Sequence, residues 1–86
     1  MDVKRHALVL KCIKSILKEE GFSSAKPDDD LVSTIGLDSL AFARIIVALE
    51  DEFNCTIPDR ELFMSKLNTM NKISSAIVSV MNTHNT

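Results

Sequence analysis

The stretch Gly36-Leu37-Asp38-Ser39-Leu40 lies between a loop and the most apolar segment of the chain. Asp38 is a favourable N-cap residue, and the sequence that follows predicts a helix from Ser39 to Phe53. Ser39 then falls in the first helical turn, where unpaired backbone N–H groups and the helix dipole favour negative charge. A phosphate esterified to the Ser39 hydroxyl would be stabilised at this position.

The predicted helix after Asp38 separates into two faces at about 100° per residue. One face is expected to point into the core, and its residues are Phe42, Ile45, Ile46, Leu49 and Phe53. The opposite face is expected to point outward, and its residues are Leu40, Arg44, Val47 and Asp51. Apolar residues exposed singly are common, so the outward leucine and valine do not by themselves indicate an interface.

Helical spacing of apolar residues predicts further helices on both sides of this one. The first runs from about Val3 to Glu20, and a long connection, residues 22–38, follows it. A short helix is expected from an Asp59 cap to about Met64, and a final helix from an Asn68 cap. The fold class is therefore all-α, a small four-helix bundle of three main helices plus a short third helix, with a long loop between helices 1 and 2. One domain spans residues 1–82, and residues 83–86 form a polar tail that is expected to fray.

Composition excludes several classes of function for these 86 residues. The net charge of −2 and the absence of Trp and Tyr argue against nucleic-acid binding. Lys11 and Lys14 interrupt the N-terminal apolar run too early for a signal peptide, and no segment is long enough to span a membrane. Cys12 and Cys55 lack metal-ligand spacing and are expected to be reduced thiols in a cytoplasmic protein.

The acidic run Asp28-Asp29-Asp30 raises the question of a calcium-binding loop. An EF-hand alignment that starts at the first aspartate places Val32 at the third ligand position and Ser33 where glycine is required. The same alignment places Ser39 at the closing acid. No metal site is therefore predicted.

The motif Gly-Leu-Asp-Ser-Leu, followed by a long helix, resembles the acyl carrier and peptidyl carrier protein (phosphopantetheine-binding) family. Residues 48–53, Ala-Leu-Glu-Asp-Glu-Phe, and residues 57–59, Ile-Pro-Asp, also resemble the family and lie in register with Ser39. The resemblance implies that Ser39 carries 4′-phosphopantetheine, whose terminal thiol holds an acyl or aminoacyl group as a thioester. It implies a carrier with no catalytic residues, expected to be a monomer.

The resemblance also implies partners. Asp38 and Leu40 would be recognised by the phosphopantetheinyl transferase that installs the arm. Enzymes that load the cargo and transfer it onward would dock on the surface around the serine. The residues expected to contact them are Leu37, Leu40, Arg44, Val47 and Asp51.

Other roles for Ser39 compete with arm attachment. A structural serine, a kinase-regulated serine and a hydrolase nucleophile each fit a serine in a first helical turn, although Ala41 stands where a nucleophile elbow requires glycine. An interpretation from a different class is an unmodified helical module that binds its partner through Leu40 and Val47.

The choice of pathway depends on a few positions of the Ser39 helix. By the family register, Ala41 and Arg44 stand where fatty acid carriers usually have acids, and Val47 where they have methionine. Leu37 before Asp38 is commoner in carriers of polyketide and peptide assembly. These residues favour a freestanding carrier in a polyketide, nonribosomal peptide or other specialised pathway, with a housekeeping fatty acid carrier as the alternative.

Overall fold

The computed structural model describes residues 3–84, which are helical apart from their connections and contain no strand. Three long helices, α1 (Val3–Glu19), α3 (Ser39–Phe53) and α4 (Met70–His84), pack against one another. A short helix, α2 (Leu31–Ile35), precedes α3, and a 3-10 turn (Asp59–Glu61) lies between α3 and α4. The predicted all-α class is confirmed.

The core is formed by apolar side chains that α1, α3 and α4 contribute at helical spacing. Val9, Ile13 and Leu17 are the buried residues of α1. In α3 the predicted inward face is buried except for Phe53, which lies half-buried in the last turn. Each fully buried Ile or Leu contributes about 1.5–3 kcal/mol relative to an exposed one, so the three long helices are stabilised chiefly by these contacts.

The connection between α1 and α3, which was predicted as a long loop, also contains the short helix α2. Asp30 caps α2 through Oδ1, which accepts hydrogen bonds from the backbone N–H of Val32 (2.9 Å) and Ser33 (3.1 Å). Gly36 ends it with φ at 74°, a left-handed conformation that favours glycine. Five residues are too few to show a helical period, but the Asp30 and Gly36 pair was a usable signal.

The three aspartates of the acidic run fix the connection in place. Asp28 Oδ1 accepts from Asn71 Nδ2 at 2.7 Å, and Asp30 Oδ2 accepts from Asn68 Nδ2 at 2.7 Å. Asp29 Oδ2 accepts from the backbone N–H of Lys26 at 2.9 Å. Two of the three carboxylates thus tie the connection to the start of α4.

The second half of the chain corrects the predicted short helix and two predicted helix caps. The short third helix is only the 3-10 turn, and Pro58, without a side-chain hydrogen bond, occupies its cap position instead of Asp59. Thr69 caps α4, because its Oγ1 accepts from the N–H of Lys72 at 3.1 Å, while the amide of Asn68 is used by Asp30. Helix α4 runs to His84, so residues 83 and 84 are helical. Residues 85 and 86 of the predicted tail lie outside the described residues, and the domain boundary at residue 82 stays a prediction.

The Asp30 cap predicts a pH-dependent stability. The backbone N–H of Ser33 and then the amide of Asn68 hold the pKa of the Asp30 carboxyl below its ordinary value. The contribution of Asp30 is therefore present above the unfolded pKa of about 3.9 and is lost as the pH falls through the lower folded value. Asp30→Asn retains a capping residue without the charge. The melting temperature of this variant should therefore lie below that of the parent protein at neutral pH.

This gap in melting temperature should close in acid, as circular dichroism melts over a pH series would show. Asn68→Ala, which removes one donor to Asp30, should narrow the gap. A gap of constant size from neutral pH into acid would contradict a role for the charged carboxylate.

Candidate functional site

The segment that precedes Ser39 is held by backbone and side-chain contacts. Leu37 is only 2% exposed and packs into the core, and its N–H donates to the carbonyl of Leu31 at 3.1 Å. Asp38 then adopts an extended conformation, and its Oδ1 accepts from the N–H of Ala41 at 2.8 Å. The predicted N-cap is confirmed, and α3 begins at Ser39 as predicted.

Ser39 itself is exposed, and its hydroxyl has no hydrogen-bond partner among the described residues. Asp38 satisfies the N–H groups of Ala41 and Phe42, which leaves the first N–H groups of α3 at the open end of the helix. These donors and the helix dipole create a positive potential next to the hydroxyl. A phosphoester on Ser39 therefore fits the local electrostatics.

Among the residues whose side chains the structure describes, His6 is the one histidine, and it is not placed to activate Ser39. The ring of His6 contacts Ser74 Oγ through Nδ1 at 2.8 Å and Asn71 Oδ1 through Nε2 at 3.0 Å. Both ring nitrogens are thus occupied by residues of α4. A nucleophile built from Ser39 and His6 is excluded by these contacts.

An open apolar groove of about 410 Å³ begins at Ser39 and follows α3. One wall is formed by α3, and the other by the segment after the 3-10 turn. Its apolar lining residues are Phe42, Ala43, Ile46, Val47, Leu62 and Met64. The groove provides a surface along which an apolar group attached at Ser39 can lie.

Four of the five residues predicted to dock partners are exposed, and these four lie on the outward face of α3. Leu40 is 64% exposed and Val47 is 55% exposed, and Asp51 is also exposed. Arg44 is exposed but forms an ion pair with Glu20, with Nη1 3.6 Å from Oε1. The prediction that Leu37 docks partners is wrong, because the extended backbone at Asp38 leaves this side chain in the core.

Sequence reasoning missed an exposed aromatic residue in the segment after the 3-10 turn. Phe63 is 50% exposed, and the ammonium group of Lys66 lies 5.4 Å from the centre of its ring. Its neighbours Leu62 and Met64 line the groove beside Ser39. Three successive apolar residues without helical spacing were the available signal, since only one side of such a run can face the core.

Both cysteine thiols are held in the protonated form. Burial raises the pKa of the Cys12 thiol, and the carboxylates of Glu52 and Glu19 raise it further. Burial likewise raises the pKa of the Cys55 thiol, with a further contribution from Glu50. Because the thiolate is the nucleophile, neither cysteine is suited to form a thioester at neutral pH.

Comparison with known families agrees with this geometry. A family model described as a phosphopantetheine attachment site matches residues 7–77. The chain belongs to this carrier family. The cofactor of the phosphopantetheine carriers is covalently attached 4′-phosphopantetheine, and their role is to hold a substrate rather than to catalyse a reaction.

The phosphopantetheine carriers similar to this chain include three curated relatives. D-alanyl carrier proteins from two strains of Streptococcus suis are each 38% identical over 81 residues, covering 94% of this chain and 98% of the relative. The D-alanyl carrier protein of Streptococcus mutans is 37% identical over 82 residues, covering 95% of this chain and 99% of the relative. No solved structure matches significantly. Among the described residues, no helix has the length and apolarity needed to cross a membrane.

Proposed function

We propose that Ser39 carries the 4′-phosphopantetheine arm. The observation that supports this most directly is an exposed, unpaired hydroxyl at the N-terminus of α3, preceded by a capping aspartate. The helix terminus stabilises the phosphoester, and the anchored segment before it holds the attachment point still. The arm supplies the reactive thiol that Cys12 and Cys55, with their raised pKa values, do not. Asp38 and Leu40, which flank the serine, are the residues presented to the phosphopantetheinyl transferase.

We infer that the cargo is a small aminoacyl group, D-alanine, held as a thioester. The names of the Streptococcus relatives, whose similarity covers nearly the whole of this chain, support this substrate. They favour it over the polyketide, nonribosomal peptide and fatty acid pathways. The groove beside Ser39 is open, which is compatible with a cargo whose ammonium group must remain hydrated. The proposed setting is a monomer in the cytoplasm.

The exposed side of α3 is proposed as the docking surface for the loading and transfer enzymes, through Leu40, Arg44, Val47 and Asp51. Arg44 presents a positive charge where a basic enzyme surface would be repelled, and such repulsion is a means of rejecting wrong partners.

The exchange Arg44→Glu with Glu20→Arg keeps the ion pair and reverses the charge on α3. Turnover by fatty acid synthase components should then rise at low salt; an unchanged rate would exclude this role.

Loading of the modified protein tests the proposed cargo. The protein is first modified by a broad-specificity phosphopantetheinyl transferase and then incubated with ATP, D-alanine and the enzyme that loads the Streptococcus suis relative. Intact-mass spectrometry should show one aminoacyl group per arm, removable by hydroxylamine, which cleaves thioesters. Loading with L-alanine should be slower.

A modified protein that accepts fatty acyl or malonyl groups from fatty acid enzymes, and no D-alanine, would overturn the cargo assignment but not the carrier role. A chain that stays unmodified would instead favour the helical interaction module.

A further inference from the structure

A second pocket lies away from Ser39, where the end of α1 meets the beginning of the connection and the start of α4. Its volume is about 510 Å³, within the usual range for small-molecule sites. The apolar floor is formed by Leu17 and Met70, both buried, and by the half-buried ring of Phe22. It shares no lining residue with the groove beside Ser39 and is more enclosed.

The rim of this α1–loop pocket is polar and positively charged. Lys14 and Lys18 are one helical turn apart and are both exposed, and Ser23 and Ser24 contribute hydroxyl groups from the connection. Among the described residues, neither lysine forms an ion pair or a hydrogen bond through its ammonium group. The two charges are therefore free to bind an anion above an apolar floor.

We propose that the α1–loop pocket binds a small amphipathic carboxylate, with the apolar body against Leu17, Phe22 and Met70 and the carboxylate between Lys14 and Lys18. The pocket is complementary to such a molecule because its positive charge lies only at the rim, where the carboxylate would bind, and its floor is apolar. Three separate parts of the chain enclose the pocket, so its shape suits a compact small molecule better than an extended peptide. A bound carboxylate would hold the beginning of the connection against α1.

Octanoate is a suitable probe, and octanamide is its neutral counterpart of the same shape. Both are titrated into the full chain while backbone amide resonances are followed by NMR. Octanoate should shift the amides of residues 22–25 in a saturable manner and raise the melting temperature. Octanamide should bind about fivefold more weakly, because it lacks the charge that meets the two lysines.

Matched lysine variants separate the pocket from general attraction to the basic side of α1. Lys14→Gln with Lys18→Gln should weaken octanoate binding about fivefold. Lys4→Gln with Lys11→Gln removes the same charge from the same helix outside the pocket and should leave the affinity unchanged. All four lysines are exposed, so neither double variant should disturb the fold.

Three results would overturn the proposal: no saturable shift with octanoate, equal weakening by the two lysine pairs, or shifts confined to Ala43, Val47 and Met64 in the groove beside Ser39. The full chain with Ser39→Ala serves as a parallel sample without the arm and should bind octanoate equally well. Because Ser39 does not line the α1–loop pocket, failure of this proposal would leave the carrier function standing.

Discussion

Replacing Ser39 with alanine is expected to abolish attachment of the phosphopantetheine arm completely while leaving the helical fold in place. The side chain of Ser39 is exposed and makes no hydrogen bond among the described residues, and the cap of α3 comes from Asp38 instead. Alanine in a first helical turn changes stability by only a few tenths of a kcal/mol, by order of magnitude. The variant should keep the helical circular dichroism spectrum of the parent and show no mass increase after incubation with the transferase.

Two other exposed serines provide matched controls for Ser39. Ser33 lies in α2 and Ser65 in the segment before α4, and both are exposed. Ser33→Ala and Ser65→Ala should each accept one arm per chain. Any remaining mass increase in the Ser39→Ala protein would show that the attachment site has been wrongly assigned.

The two leucines that flank Asp38-Ser39 are expected to respond in opposite ways to truncation. Leu37 is 2% exposed, so Leu37→Ala should lower the free energy of unfolding by about 2–5 kcal/mol, the range for a buried leucine. Leu40 is 64% exposed, so Leu40→Ala should change it by less than about 0.5 kcal/mol. Urea denaturation followed by circular dichroism measures both values.

Leu40→Ala should instead weaken recognition of the protein by the phosphopantetheinyl transferase. If the transferase buries this side chain, its loss should slow arm attachment by about tenfold at limiting carrier concentration. Val47→Ala, one apolar residue further along the same face, is a control for a general loss of exposed apolar surface.

The stability comparison has its own contradicting outcome. Similar unfolding free energies for Leu37→Ala and Leu40→Ala would contradict the difference in burial between the two leucines.

Local signals predicted α3 and its first residue correctly. The cap by Asp38 and the apolar face that follows it both act within a few turns, so a single sequence contains them. The residue that caps α4 depends instead on a long-range contact, since Asp30 and Asn68 are 38 residues apart. Asn68 was predicted to cap α4, and only the approach of the connection assigns its amide to Asp30 and leaves the cap to Thr69.

Helical spacing could not decide on which side Leu37 lies. The helical period that orders the side chains of α3 begins at Ser39, and Leu37 precedes it in a turn. Its position depends on the backbone bond to Leu31 and on the extended conformation at Asp38. The family resemblance supplied the attachment motif but gave no information on which of its leucines is buried.

The hydrogen bonds between the connection and α4 also determine when during synthesis the site is completed. Asn68 and Asn71 are translated 38 and 43 residues after their partners Asp30 and Asp28. The serine therefore leaves the ribosome long before the residues that anchor the connection ahead of it. An enzyme that recognises only the anchored motif would act after Asn68 and Asn71 have been synthesised and have paired with their aspartates.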